Sequence, residues 1–192
     1  AVMEKGESAV ERFRFSLAVS GEGNSARDAL DQLNQRLSLL RQQLSSLTQG
    51  RLTVPPPTSY QRGGSVNKPK LFVANTGVSG DLSPASYQRF LQTVGGLPGV
   101  RLQGMTSLAS SNSHASLADQ LLKQALETGR RRAQTTARAL GLREVELLLI
   151  DQRGSIHRPM PMVARMGEAS FRPGEAPKPS QNLTLKLNYC LR

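Results

Sequence analysis

The 192-residue chain carries 25 Lys and Arg against 14 Asp and Glu, a net charge of +11, and 38% of its residues are hydrophobic. That length suffices to bury roughly 70% of the unfolded surface around one core, and the composition excludes a disordered chain. No run approaches the roughly 18 apolar residues of a membrane-spanning helix. The basic excess favours polyanionic partners, but with no Trp, 5 Phe and 3 Tyr there are few rings for bases to stack on, which weighs against nucleic acid.

Residues 1–9 read as a polar lead to one domain over residues 10–192. The first fifteen residues, AVMEKGESAVERFRF, lack the apolar core of a secretory signal, so the expectation is a cytoplasmic protein or an exported one read without its signal peptide. Phe13, Phe15, Leu17 and Val19 alternate with Arg14, Ser16 and Ala18 at the period of a half-buried strand, which Gly21 and Gly23 are expected to break. Ser25 followed by Asp28 resembles a capping box. Ala26, Leu30, Leu33, Leu37, Leu40, Leu44 and Leu47 then predict an amphipathic helix, ended by Gly50, whose leucine seam lies on the domain's own sheet rather than in a coiled coil.

Residues 51–54 predict a short strand, Pro55, Pro56 and Pro57 an extended exit that guards a sheet edge, and Gly63 and Gly64 a flexible loop. A strand over residues 70–79 follows. Ser83 and Pro84 supply the cap and first position of a helix carrying Tyr87, Phe90, Leu91 and Val94. Gly95, Gly96, Pro98 and Gly99 turn the chain into a strand from Val100. A third helix is predicted from about residue 116 to 140, with Gly129, Ala133 and Ala137 as a small-residue face and Gly141 as its end.

Val145 to Ile150 is a nearly continuous apolar run, which predicts cover on both faces or a central sheet position. Residues 153–181 hold five of the eleven prolines and predict a long loop that is functional or an interface segment. The closing strand sets Leu183, Leu185, Leu187, Tyr189 and Leu191 against Thr184, Lys186, Asn188 and Cys190; it is expected to offer an open edge with Lys186 as its deterrent. The predicted order is β-α-β-β-α-β-α-β-β.

Three stretches together resemble one family: GEGNSARDALDQLN after the opening strand, ALETGRRRAQTTARALGL over residues 125–142, and PGE at 173–175 followed by a closing strand ending NYCL. In this order, over about residues 10–191, they look like the SIMPL domain of bacterial periplasmic and cell-envelope proteins. Gly129 stands where that family usually has alanine, and the segment 153–181 is unusually rich in proline. The resemblance implies an α+β fold with helices on a mixed, mostly antiparallel sheet. It also implies export to the periplasm or cell envelope, and a tendency of some members to oligomerise. The family has no agreed catalytic residues, so none is carried over.

GEGNSA at 21–26 has the form G-x-G-x-x-A of a dinucleotide-binding turn, but Glu22 puts negative charge where phosphate would sit. No acidic residue ends a strand about twenty residues later to hold a ribose. A plain strand-to-helix turn is the expectation. His114 and His157, the two histidines, have no Cys or second His at ligand spacing. Lys123, Arg130, Arg131 and Arg138 form the densest positive segment and are the candidate anion-contacting surface, although Glu127, four residues before Arg131, suggests an intrahelical pair on a solvated face. Cys190, the single cysteine, cannot close an intramolecular disulfide; it is a candidate intersubunit thiol in an oxidising compartment, or a partly covered unreactive one.

The expected function is a non-catalytic cell-envelope domain acting by binding or self-assembly, as a homo-oligomer or against an anionic envelope component, without cofactor or metal. The alternatives are a basic cytoplasmic nucleic-acid-binding protein and a nucleotide-using enzyme built on the GEGNSA turn.

Overall fold

The alternation of Phe13, Phe15, Leu17 and Val19 forms a strand in the computed structural model, which describes residues 1–63, 70–155, 174 and 176–192. Among these, eight strands and three α-helices are present, every described strand pairing is antiparallel, and the helices pack on the sheets: the fold is α+β. The contacts gather into two compact units. The first contains residues 1–10, 109–155 and 177–192, and the second residues 11–63 and 70–108.

In the second unit, β2 (Arg12–Gly23) lies between β5 (Leu71–Leu82) and β6 (Val100–Leu108). Phe13, Phe15, Leu17 and Val19 are buried, with the Phe15 ring 4.5 Å from Phe90 and the Phe13 ring 5.3 Å from Tyr87. These aromatics are core, with their faces spent on one another. The strand does not break at Gly21 and Gly23, as the sequence leads one to expect; it stays paired with β5 out to Gly23, opposite Phe72. The glycines are there for close packing. A Cβ on Gly21 would lie 2.5 Å from the Leu33 amide nitrogen, and one on Gly23 would lie 2.6 Å from the Ala29 nitrogen, so their bareness lets the following helix cross the strand backbone directly.

That helix, α1 (Ala26–Leu44), starts on the expected capping box, Ser25 accepting from the Asp28 amide at 3.1 Å and the Asp28 carboxylate accepting from the Ser25 amide at 3.1 Å. Ala29, Leu33, Leu37, Leu40 and Leu44 are its buried stripe, laid on β2 and β5. It ends at Leu44, before Gly50, which at φ +80 sits instead inside β3 (Thr48–Thr53). A strand not anticipated from the sequence, β4 (Thr58–Arg62), follows the three prolines. Both β3 and β4 pair with the same side of β5, with Pro55, Pro56 and Pro57 between them and the Thr76 hydroxyl donating to the Pro55 carbonyl at 2.8 Å. Gly64 lies outside the described residues. Ser83 caps a 3-10 turn, Pro84–Ser86, that leads into α2 (Tyr87–Gly95), which buries Tyr87, Phe90 and Val94.

In the first unit, the polar lead proves to contain a strand, β1 (Val2–Glu7), in a sheet ordered β1-β8-β7, with β7 over Val145–Ser155 and β8 over Ser180–Leu191. Its charges obscured it: Glu4, Lys5 and Glu7 sit on a sheet edge, where charge is common. Helix α3 (Ser111–Ala139) covers one face and begins five residues earlier than predicted, because the Ser110 hydroxyl caps the Ser113 amide at 3.1 Å. Gly141, at φ +74, ends it, and the Leu142 amide reaches back to the Ala137 carbonyl at 2.8 Å.

The predicted small-residue face is the buried one: Gly129, Ala133 and Ala137 are all covered. A Cβ on Gly129 would collide with the Leu187 side chain and approach the Tyr189 hydroxyl at 3.3 Å, which gives this departure from alanine a physical cause. Val2, Leu121, Ala125, Leu183 and Leu185 complete the small core.

Two sheet positions exchange places relative to expectation. Among the described residues, the closing strand β8, read as an open edge, is the central strand, and β7, read as central or doubly covered, is an edge strand with exposed leucines. A continuous apolar run marks surface that needs covering, without saying that its own chain covers it. The loop read over 153–181 is also shortened, since β7 runs to Ser155 and β8 starts at Ser180; its middle, residues 156–173, lies outside the described residues.

Candidate functional site

The GEGNSA turn lacks the architecture of a nucleotide site. Its strand has antiparallel neighbours on both sides, where the dinucleotide fold needs a parallel unit, and the α1 backbone occupies the space over Gly21 and Gly23 where a pyrophosphate would lie. At the helix start, the Asp28 carboxylate and the Ser25 hydroxyl already take up the Ser25 and Asp28 amides. Glu22 faces away from the helix and pairs with Arg62 at 3.0 Å.

On the same outward face, an open groove of about 610 Å³ runs over Ala18 and Gly77, bordered by Pro55, Tyr60, Arg62, Arg101 and Gln103. Several of its polar groups are already bonded: Arg62 to Glu22, Thr58 to Asn75 at 2.6 Å, and Gln103 to Ser16 beside the groove at 3.2 Å. Sequence reasoning did not find this groove, because β4 was read as loop.

Lys123, Arg130, Arg131 and Arg138 are all exposed on α3. At about 100° per residue they fall within an arc of roughly 100°, strung along about 22 Å of helix axis. The expected Glu127–Arg131 pair is absent, and none of the four has an ion-pair partner among the described residues. The helix therefore presents a cationic stripe without enclosing a site. Cys190 is a free, half-buried thiol on β8, opposite Glu146 of β7. His114 is exposed near the start of α3, where its ring meets the side-chain amide of Gln181; His157 lies outside the described residues. Among the described residues, no group of three His, Cys, Asp or Glu could hold a metal ion, and no helix is long and apolar enough to cross a membrane.

The feature with the largest unmet physical demand is the edge strand β7. Leu147 is 41% exposed, Leu148 62%, Leu149 54% and Ile150 46%, four aliphatic side chains in sequence on a strand whose second side has no neighbour among the described residues. Register with β8 places each of them. Leu147 lies opposite Tyr189 and Ile150 opposite Leu187, residues that reach toward Gly129 of α3, so both point to the helix side of the sheet. Glu146, Leu149 and Asp151, opposite Cys190, Asn188 and Lys186, point to the other side. The register shifts between Leu147 and Leu149, making Leu148 the extra residue of a bulge. Glu146 pairs at its rim with Arg192 at 3.6 Å, an exposed and therefore weak contact. Chemically the strand offers backbone donors and acceptors and apolar surface, which suits association.

No curated protein matches the chain. A protein family does match, over residues 5–187 of the 192, and it is SIMPL, described as a protein of unknown function (DUF541). With nearly its whole length matched, the chain belongs to the SIMPL family.

Proposed function

We propose that this chain is a non-catalytic domain of the periplasm or cell envelope that acts by binding or self-assembly. One observation carries the association half of this reading: a strand edge unpaired among the described residues, with four adjacent exposed aliphatic residues, a surface that soluble proteins ordinarily cover. The compartment rests on the family resemblance. The stripe of Lys123, Arg130, Arg131 and Arg138 suits an anionic envelope component, because guanidinium groups fork onto carboxylate and phosphate oxygens.

The test is made on the complete gene product in its bacterial host. Release by osmotic shock with the periplasmic fraction is the expected result, and recovery with the cytoplasm overturns the assignment of compartment. Binding of NAD or NADP tighter than about 100 μM, the affinity of even a modest cofactor site, contradicts the non-catalytic reading.

A further inference from the structure

We infer that the edge of β7 left without a neighbour among the described residues is the docking surface for β7 of a second copy of this chain, joining two three-stranded sheets into one antiparallel sheet of six strands about a two-fold axis near Leu148 and Leu149. This rests on the self-assembly reading above and adds the partner, the strand and the register.

The choice of strand follows from how the other sheet edges are protected. On the far side of the same sheet, β1 carries Glu4, Lys5 and Glu7. In the five-stranded sheet, the edge made by β3 and β4 is interrupted by three prolines, and the opposite edge, β6, exposes Arg101 and Gln103. Charge and proline are the ordinary means of keeping strand edges apart. β7 instead presents Leu147, Leu148, Leu149 and Ile150.

The choice of a second copy follows from the bulge. In a regular strand, residues three apart point to opposite faces. The extra residue Leu148 shifts the alternation, so that Leu147 and Ile150 share the helix side while Glu146, Leu149 and Asp151 share the other. When β7 is laid antiparallel on a copy of itself with Leu147 opposite Ile150 of the second copy, the pairs flanking the central bulge, Leu147 with Ile150, Glu146 with Asp151 and Val145 with Gln152, each point to one face, as a continuous sheet requires. Val145 meets Gln152, Leu148 meets Leu149, and the aliphatic cluster of each strand is covered by that of the other. The strand is thus complementary to itself in this register because of its bulge.

Charge permits the approach. Two chains of net charge +11 repel, yet residues 143–152 hold one arginine against the three acids Glu144, Glu146 and Asp151, so the segment by which the copies meet is itself acidic. The register does set Glu146 against Asp151 of the second copy, each beside a cation of its own β8: Arg192, 3.6 Å from Glu146, and Lys186, opposite Asp151.

The experiment combines light scattering with disulfide trapping on the full chain. Because residues 147–150 are exposed, substitution there is compatible with folding, which circular dichroism verifies for each variant. The expected results are a dimer at about 100 μM protein, dimerisation weakened at least about 100-fold by Leu149→Lys, which would bury an unpaired ammonium, and a covalent dimer from Leu147→Cys/Ile150→Cys in a Cys190→Ser background. In the same background Leu147→Cys/Leu149→Cys, out of register, should trap little. A dimer indifferent to Leu149→Lys, or trapped better by the second cysteine pair, overturns this inference while leaving self-assembly standing. A chain that stays monomeric at about 100 μM overturns both.

Discussion

A methyl group on Gly21 would sit 2.5 Å from the Leu33 amide nitrogen, against backbone that has no rotamer with which to retreat. Gly21→Ala is therefore expected to lower stability by about 2 kcal/mol or more, read from urea denaturation. Gly77 is its control on the neighbouring strand: a methyl there would meet only the Leu17 carbonyl oxygen, at 3.9 Å, and Gly77→Ala should change stability by under about 1 kcal/mol. Equal losses would mean that α1 does not cross over Gly21.

Tyr87, packed on Phe13, offers a second residue-level prediction. Burial raises its phenol above the ordinary value of 10.0. A raised folded-state value favours the neutral form, so the stability it contributes is full below about pH 10 and is lost as the pH climbs through the folded value. Stability should fall above pH 10, and Tyr87→Phe should flatten that fall. An unchanged alkaline slope in the variant refutes this assignment.

At the scale of elements, local rules were readable wherever a side chain answers to its own neighbours in sequence. The Ser25 capping box and the small face of α3 appear in the structure as the spacing predicts, while Ser83 and Pro84 start a 3-10 turn ahead of α2, and the stripe of α1 is as predicted from Leu33 to Leu44 but begins at Ala29, with Ala26 exposed, Leu30 half-buried and Leu47 beyond the helix. The two glycines of β2 were misread because strand-breaking and close-packing glycines look alike until the element lying across them is known. β4 was missed because three prolines and paired glycines dominate its flanks, although residues 58–62 supply an ordinary antiparallel ladder to β5.

The α3 packing gives a test at this scale. Ala133 is 9% exposed on the face that covers the sheet, while Arg131 is in solvent. Ala133→Leu should overpack that face and cost about 1 to 3 kcal/mol, and Arg131→Ala under about 0.5. Thermal melts that move equally for the two variants would place the buried face elsewhere.

For the molecule as a whole, the candidate surface was half readable. The apolar run at Val145 to Ile150 was plain in the sequence, as was the need for something to cover it. What was not readable was that β7 ends its sheet among the described residues and leaves these leucines exposed, since sheet order is set by long-range pairing that no local pattern encodes. The charge pair in the register gives a further prediction. Glu146→Lys, which would place an ammonium opposite Asp151 of the second copy, should tighten dimerisation roughly 2- to 10-fold by sedimentation equilibrium; weakening would contradict the opposition of those two positions.

The most direct measurement is hydrogen exchange along β7 as a function of protein concentration. Pairing between copies predicts that the backbone amides of residues 145–152 that do not bond to β8 exchange slowly at about 100 μM and rapidly on dilution to about 1 μM, while those of the central strand β8 stay protected throughout. Exchange along β7 that is fast at both concentrations would contradict the account.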